Sequence, residues 1–216
     1  MSHQTHFPHF GTNAIHAGQE PEQWDMNQVI PPISLSTTYK QAYPGKPKKH
    51  DYSRAGNPTR DVLEKCLASL EDGEYCRVFA TGMAACMAIA NLLKSGDHVV
   101  CSDDVYGGTQ RYFRKISIPH HGVDVTFADM TDAKVYMKAL KSNTKIVWLE
   151  SPSNPLMKVV DIAATVAAIR SFRTDIVVVV DNTFMSPYFQ VTFYETFCFY
   201  SLPPLLQDRT LGPRAE

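Results

Sequence analysis

The chain has 216 residues, of which 44% are hydrophobic and 20% are charged, a composition typical of a globular protein with a buried core. The formal net charge is -1 and the basic residues are scattered, which argues against nucleic acid or a membrane surface as a partner. No apolar run approaches the roughly 20 residues that span a bilayer, and five cysteines without a CxxC pair favour free thiols in the cytoplasm.

The first 58 residues predict an extended amino-terminal arm. They contain many prolines and few periodic segments, so a packed layer is not expected. The first ten residues lack both the apolar stretch of a signal peptide and the arginine-rich pattern of a transit peptide. His3, His6 and His9 are more simply explained as solvated side chains than as metal ligands, so we expect no metal site.

A helix follows the arm. Asn57 and Pro58 supply an N-cap and a first-turn proline, and Gly73 marks the end. The apolar residues of its buried face are Val62, Leu63, Cys66, Leu67 and Leu70.

Strand-like apolar runs then alternate with helical stretches. The predicted strands are residues 76–80, 98–102, 123–128, 146–150 and 176–180, and the predicted helices are residues 82–93, 108–116, 132–140 and 161–172. This alternation predicts an α/β fold with a mainly parallel sheet and helices on both faces. We therefore assign residues 59–190 to one α/β domain. Residues 191–216 follow neither a helical nor a strand period, so we predict a divergent, disordered tail there.

Two glycine-containing turns follow predicted strands, at the edge of the sheet where α/β proteins bind ligands. Gly82 and Met83 open a helix whose free N–H groups could hold a phosphate, although ordinary turn chemistry explains such a glycine equally well. Tyr106, followed by Gly107 and Gly108, could stack on a flat ligand or simply pack against its own loop.

The next two strands end in an amide and a carboxylate. Asn154 lies in a turn made rigid by prolines, and Asp181 follows the most apolar strand. A carboxylate in such surroundings needs a partner, for which a protonated heterocyclic nitrogen would serve, unless it caps the next turn. An anion cradle, a ring platform, an amide and a carboxylate at one edge are difficult to explain as four independent turns.

Several longer motifs resemble the trans-sulfuration family of pyridoxal-phosphate (PLP) enzymes over residues 8–190. These motifs are Thr12–Gly18, Pro21–Trp24, Pro31–Ile33, Tyr52–Thr59, Asp103–Arg114 and Asp181–Phe189. The resemblance implies the large domain of the aspartate aminotransferase type, here incomplete, with pyridoxal 5'-phosphate as the cofactor.

The resemblance also implies roles for the residues at the strand ends. Gly82 and Met83 would bind the cofactor phosphate, Tyr106 would stack on the pyridine ring, and Asp181 would hold the ring nitrogen protonated. In that form the ring accepts the electron pair released when a substrate loses its α-proton.

Five further residues receive roles from the resemblance alone. Asn154 would bind the ring hydroxyl and Thr183 would support the ring from its other side. Tyr52 and Arg54 would reach from the arm into the site of a neighbouring subunit, where the forked donors of arginine suit a phosphate. Arg111 would help to position the substrate. The family implies self-association as a homotetramer.

The implied activity is that of a PLP-dependent carbon–sulfur lyase acting on a sulfur amino acid. It would split cystathionine into cysteine, 2-oxobutanoate and ammonia, with hydrogen sulfide from cysteine as a side activity. Branches that synthesise cystathionine or cleave it on the β side stay open. The branch that cleaves methionine is disfavoured, because Gly108 stands where that branch carries cysteine.

One catalytic group of the family is not matched. The family places its Schiff-base lysine after the last strand matched here, whereas the last lysine of this chain is Lys158, which precedes Asp181. We therefore expect the 216-residue chain to be inactive by itself. Two alternatives remain: a non-catalytic truncated isoform that associates with full-length subunits, and a tail that arises from alternative splicing or a gene-model error.

Overall fold

The computed structural model describes residues 9–192 and 196–199. The chain divides into two compact units, one ending at Val78 and the other beginning at Phe79. The first unit therefore contains both the predicted arm and the helix that follows it.

The first unit holds two α-helices and a short 3-10 turn. Helix α1 spans Phe10–His16, the 3-10 turn spans Pro21–Gln23, and helix α2 spans Pro58–Leu70. The side chain of Asn57 accepts hydrogen bonds from the N–H groups of Thr59 and Arg60 at 2.9 and 3.2 Å. Because this satisfies two of the donors that a helix start leaves free, the prediction of Asn57 as an N-cap is confirmed.

Helix α1 lies inside the predicted arm and contacts α2. The Sγ atom of Cys66 is 3.6 Å from the carbonyl oxygen of Ala14. The contact ends at Gly18, whose φ is +76°. A Cβ atom at this position would lie 2.7 Å from the Cβ of Lys65, so only glycine fits. Residues 24–57 contain no helix or strand, only two isolated bridges, Thr38 with Tyr52 and Tyr43 with Lys46.

The predicted strand at residues 76–80 is wrong. No strand is formed there, because the segment pairs with a helix side chain instead of a neighbouring strand. The N–H of Val78 donates to Glu64 Oε1 at 3.2 Å, and Arg77 donates to the other oxygen of Glu64 at 3.0 Å. The segment is extended, but its backbone takes no part in a ladder.

The second unit is built on a parallel sheet. Its strands are β1 (His98–Ser102), β2 (Asp124–Ala128), β3 (Thr144–Glu150), β4 (Val177–Asp181) and β5 (Thr196–Phe199). Their order is β2-β1-β3-β4-β5, and every pair is parallel. The prediction of a mainly parallel sheet is confirmed.

Strand β5 lies in the segment predicted as a disordered tail, and that prediction is wrong for its four residues. Val178 of β4 pairs with Thr196, and Asp181 pairs with Phe199. Backbone pairing along β4 satisfies hydrogen bonds whatever the side-chain period is, so periodicity alone did not reveal this strand. Residues 193–195 and 200–216 lie outside the described part of the chain, and the prediction stays a prediction there.

Helices cover both faces of the sheet, as predicted. The helices are α3 (Gly82–Ala90), α4 (Gly107–Tyr112), α5 (Ile118–His121), α6 (Ala133–Ala139), α7 (Ile162–Phe172) and α8 (Ser186–Phe189), with a π-helical turn at Phe113–Ser117 between α4 and α5. Val147 and Val180 pack against Ile169 of α7 on one face. Trp148 and Val179 belong to the other face, with Cys86 of α3. No helix in the described ranges combines the length and apolarity needed to cross a bilayer.

Candidate functional site

Two carboxylates end adjacent strands at the carboxyl edge of the sheet. Glu150 is the last residue of β3, Asp181 is the last residue of β4, and their Cα atoms are register partners. Side chains alternate along a strand, so both share the face of Trp148 and Val179 and point towards α3. Asp181 is only 6% exposed and Glu150 only 5%, so both carboxyl groups are buried at this edge.

The carboxylate of Asp181 is oriented by Thr183. The hydroxyl and the backbone N–H of Thr183 donate to Asp181 Oδ1 at 2.5 and 3.0 Å. Burial raises the pKa of Asp181, and the two hydrogen bonds from Thr183 oppose that shift. Asp181 Oδ2 accepts no hydrogen bond from the part of the chain that the structure describes. One oxygen is thus fixed while the other can receive a donor.

Glu150 holds the loop that follows β1. Its Oε2 accepts the backbone N–H of Tyr106 at 2.7 Å. Burial raises the pKa of Glu150 to about 8, and the nearby carboxylate of Asp181 adds to the shift, whereas the N–H groups of Tyr106 and Asn154 oppose it. The sequence showed Glu150 only as the end of an apolar strand, and its bond to Tyr106 links residues 44 positions apart.

Tyr106, Gly108 and Met83 meet at one point. A Cβ atom at Gly108 would lie 2.9 Å from Met83 Sδ and 3.0 Å from Tyr106 Cδ1. The ring of Tyr106 therefore lies over Gly108 and beside the first turn of α3, with about half of its surface exposed. Such a ring presents a face on which a flat ligand can stack.

The amino end of α3 keeps two free donors. The side chain of Thr81 accepts the N–H of Ala84 at 3.1 Å, while the N–H groups of Gly82 and Met83 bond to no acceptor in the described ranges. Two free N–H groups at the start of a nine-residue helix attract an anion. Further along α3, burial raises the pKa of Cys86 to about 12, and Asp181 and Glu150 add to the shift, which places the helix beside both carboxylates.

Buried side chains hold the loops after β3 and β4. Asp104 accepts the N–H of Leu156 at 2.9 Å and the hydroxyl of Ser153, so it fixes the turn that carries the half-buried Asn154. Gln190 donates to the carbonyl of Ser151 at 2.9 Å. Sequence patterns did not single out Asp104, since its partners lie about fifty residues away and only the neighbouring β1 and β3 bring them close.

The other three predicted residues lie on α4 and in the first unit. Arg111 is exposed on α4, and its side chain makes no hydrogen bond or ion pair within the described residues. Tyr52 and Arg54 belong to the first unit, where Arg54 Cζ lies 5.2 Å from the centroid of the Tyr52 ring and Arg54 Nη2 donates to Tyr52 Oη at 3.1 Å. These two side chains form a pair of their own.

Lys158 is engaged elsewhere. Its Nζ lies 3.1 Å from the carboxylates of Asp103 and Asp129, and these partners raise its pKa.

A metal site would need a cluster of ligating side chains. No cluster of three or more His, Cys, Asp or Glu side chains suited to an ion occurs among residues 9–192 and 196–199. His3 and His6 lie outside the described residues.

The donor set at this edge fits a phosphorylated pyridine. It offers a buried carboxylate for a ring N–H, free backbone N–H groups for a phosphate and an aromatic face for a ring. We refer to this group, Gly82, Met83, Tyr106, Asn154, Asp181 and Thr183, as the edge site.

Comparisons with known proteins point to the same chemistry. A sequence profile of the family described as "Cys/Met metabolism PLP-dependent enzyme" matches residues 11–194. A Caenorhabditis elegans protein named "Putative cystathionine gamma-lyase 2" is 70% identical over 184 residues, which are 85% of this chain and 47% of that protein. Human cystathionine gamma-lyase is 52% identical over 185 residues, covering 86% of this chain and 45% of the human protein.

A solved structure shares the fold. The crystal structure of the cystathione gamma lyase CalE6 from Micromonospora echinospora superposes with a TM-score of 0.79 and 38% identity, covering 88% of this chain and 50% of that one. The chain spans about half of the length of the relatives that it matches.

Proposed function

The chain belongs to the Cys/Met metabolism PLP-dependent enzyme family, and on that premise we propose that it binds pyridoxal 5'-phosphate at the edge site and serves the cleavage of a carbon–sulfur bond in cystathionine. The observation that carries the proposal is the buried carboxylate of Asp181, of which Thr183 fixes one oxygen. A buried carboxylate is stabilised by a cationic partner, and a protonated pyridine nitrogen is such a partner.

The other groups of the edge site suit the rest of the cofactor. The free N–H groups of Gly82 and Met83 would bind the phosphate, the ring of Tyr106 would stack on the pyridine, and Asn154 would bind the ring hydroxyl. Bound PLP supplies an electron sink for the carbanion chemistry of amino acids. What this chain contributes is orientation: Asp181 keeps the ring nitrogen protonated, and Thr183 keeps Asp181 in place.

The proposed substrate is cystathionine, and the proposed products are cysteine, 2-oxobutanoate and ammonia, with hydrogen sulfide from cysteine as a side activity. Two relatives that match most of this chain carry the name cystathionine gamma-lyase, which supports this choice within the family. The exposed guanidinium of Arg111 on α4 is available to position a substrate carboxylate.

We further propose that the protein self-associates as a homotetramer in the cytoplasm. Tyr52 and Arg54 would bind the cofactor phosphate of a neighbouring copy, and the pairing of their exposed side chains supports a joint role. Cys66, Cys76, Cys86 and Cys101 are free thiols, which is typical of a reducing compartment.

For the 216-residue chain itself we propose cofactor binding without lyase activity. Lys158 is held by Asp103 and Asp129, so it does not serve as the lysine that bonds to the cofactor. The chain could instead associate with longer subunits as a non-catalytic form.

A PLP titration of the full 216-residue chain tests the proposal. We expect saturable binding, followed by absorbance, and no lysine labelled after borohydride treatment and peptide mapping. Asp181→Asn should weaken binding by about 10-fold to 100-fold, because a charge-assisted hydrogen bond contributes about 1.5–3 kcal/mol.

Asp175→Asn is the matched control. Asp175 is an exposed carboxylate just before β4 that pairs with Arg173, so its loss should leave PLP binding unchanged. Absence of saturable binding by the unmodified chain, or equal binding by Asp181→Asn, would refute the proposal.

A further inference from the structure

Glu150 is buried at the end of β3 beside Asp181, yet none of the proposed contacts with PLP uses it. We infer that Glu150 is a positioning residue of the edge site, which fixes the backbone of Tyr106 so that the ring platform is held in place relative to Asp181. This inference rests on the proposed binding of PLP.

The first contact joins two loops. Tyr106 is the N-cap residue of α4, and its side chain makes no capping bond. Its N–H donates instead to Glu150 Oε2 at 2.7 Å. Because β1 and β3 are adjacent in the sheet, this bond ties the start of α4 to the end of β3. Glu150 therefore holds the backbone from which the Tyr106 ring extends.

The second relation is to Asp181. The Cα atoms of Glu150 and Asp181 are register partners on the adjacent strands β3 and β4, and both side chains leave the same face of the sheet. The bond from Tyr106 to Glu150 therefore ties the ring platform to the strand beside the one that carries Asp181.

The chemistry of Glu150 supports a specific role. A carboxyl group buried at a strand end is destabilising unless it is hydrogen-bonded, and an apolar residue would pack there without that cost. The N–H of Tyr106 needs one acceptor oxygen, which a glutamine amide also supplies. Glutamine keeps the shape and one acceptor, whereas alanine keeps neither.

The test compares Glu150→Gln and Glu150→Ala in the full 216-residue chain. We expect Glu150→Ala to raise the Kd for PLP about 10-fold, as a misplaced ring would, and Glu150→Gln to stay within about threefold of the unmodified chain. Hydrogen exchange of the Tyr106 amide, measured without PLP, should accelerate about 10-fold or more in Glu150→Ala and less in Glu150→Gln.

A double-mutant cycle separates positioning from general stability. If Glu150 acts through Tyr106, then Glu150→Ala should weaken PLP binding much less in a Tyr106→Ala background than in the unmodified chain. Full additivity of the two changes, or unchanged Tyr106 exchange in Glu150→Ala, would overturn the inference.

The outcomes also distinguish the two proposals. If the unmodified chain binds PLP and Asp181→Asn weakens it, but Glu150→Ala does not, then Glu150 is no positioning residue and the proposed function stands. If the unmodified chain binds no PLP, both fail.

Discussion

Two carboxyl groups with raised pKa values lie side by side at the carboxyl edge of the sheet, Asp181 within the edge site and Glu150 next to it. Burial is the main cause of both shifts. Thr183 donates two hydrogen bonds to Asp181, whereas Glu150 accepts the N–H of Tyr106 and has a pKa of about 8. The environments therefore separate the two groups: the hydrogen bonds from Thr183 favour the charged form of Asp181, and the raised pKa favours the protonated form of Glu150 near neutral pH.

This separation predicts a pH dependence of stability. The pKa of Glu150 is raised from 4.5 to about 8 in the folded chain, so between these values the folded state binds more protons than the unfolded state. The free energy of unfolding should then fall as the pH rises from about 4.5 to about 8. Glu150→Gln should remove this part of the slope, and each pKa unit corresponds to about 1.4 kcal/mol. Urea unfolding at several pH values measures it.

Other titrating groups around Glu150 enter the same measurement. Asp181 of β4 and Asp104 after β1 raise the pKa of Glu150, and the thiols of Cys86 and Cys101 face it from α3 and β1. Their pKa values are raised, to about 12 for Cys86, so the thiols stay neutral in this range. Asp175→Asn serves as the control. Arg173 lowers the pKa of Asp175 to about 2, so Asp175 changes its charge only at acidic pH. Parallel slopes for the unmodified chain and Glu150→Gln would contradict the prediction.

Sequence position led to several residues of the proposed edge site. Tyr106, Asn154 and Asp181 each follow a strand that the structure confirms, and the carboxyl ends of parallel strands meet at one edge, whereas Gly82 follows a predicted strand that is not formed. Glu150 was not singled out, because its bond to Tyr106 depends on which strands are neighbours. The order of β1, β3 and β4 is a tertiary property that hydrophobic periodicity does not contain.

The helices and strands agree with their predicted bounds where a long hydrophobic period or a helix cap defined them. Strands β1 to β4 and helices α2, α6 and α7 lie within a few residues of their predicted bounds, because buried valine-rich strands and capped helices carry strong local signals. The prediction of a strand at residues 76–80 was wrong, because a short apolar run does not show whether a partner strand exists. The helix predicted at residues 108–116 continues through a π-helical turn into α5, which a period of 3.6 does not describe.

The contact between α3 and α4 at Gly108 can be tested by substitution. Gly108→Ala would place a Cβ 2.9 Å from Met83 Sδ and against the Tyr106 ring, so one of them must move away from the edge site. We expect PLP binding to weaken about 10-fold, with stability lowered by about 1–3 kcal/mol from overpacking. PLP titration and thermal unfolding measure the two effects.

Gly107→Ala is the matched control for that change. A Cβ at Gly107 meets nothing within 4 Å, and alanine favours a helix over glycine by about 1 kcal/mol. This variant should bind PLP normally and be as stable as the unmodified chain or slightly more so. Equal PLP affinity for Gly107→Ala and Gly108→Ala would show that the contact between α3 and the Tyr106 ring has no part in the site.

At the scale of the whole molecule, the first unit carries a surface suited to a partner. Met26, Val29, Ile30, Ile33 and Leu35 are 76% to 87% exposed. Exposed apolar side chains grouped in one short segment are typical of a binding surface. Together with the pair formed by Tyr52 and Arg54, this segment supports the proposed self-association, in which one copy would supply part of the site of another.

Complementation between two defective chains tests that arrangement. If Arg54 of one copy and Asp181 of another share a site, then Arg54→Ala and Asp181→Asn should each bind PLP poorly. Unfolded together and refolded, they should regain about a quarter of the unmodified capacity, because random pairing leaves one intact site in half of the dimers. PLP binding after refolding measures the recovery, with each variant refolded alone as its control. Only an arm exchanged between copies can restore a complete set of site residues. If the refolded mixture binds no more PLP than the sum of the separate variants, Arg54 lies in the site of its own copy or outside the site.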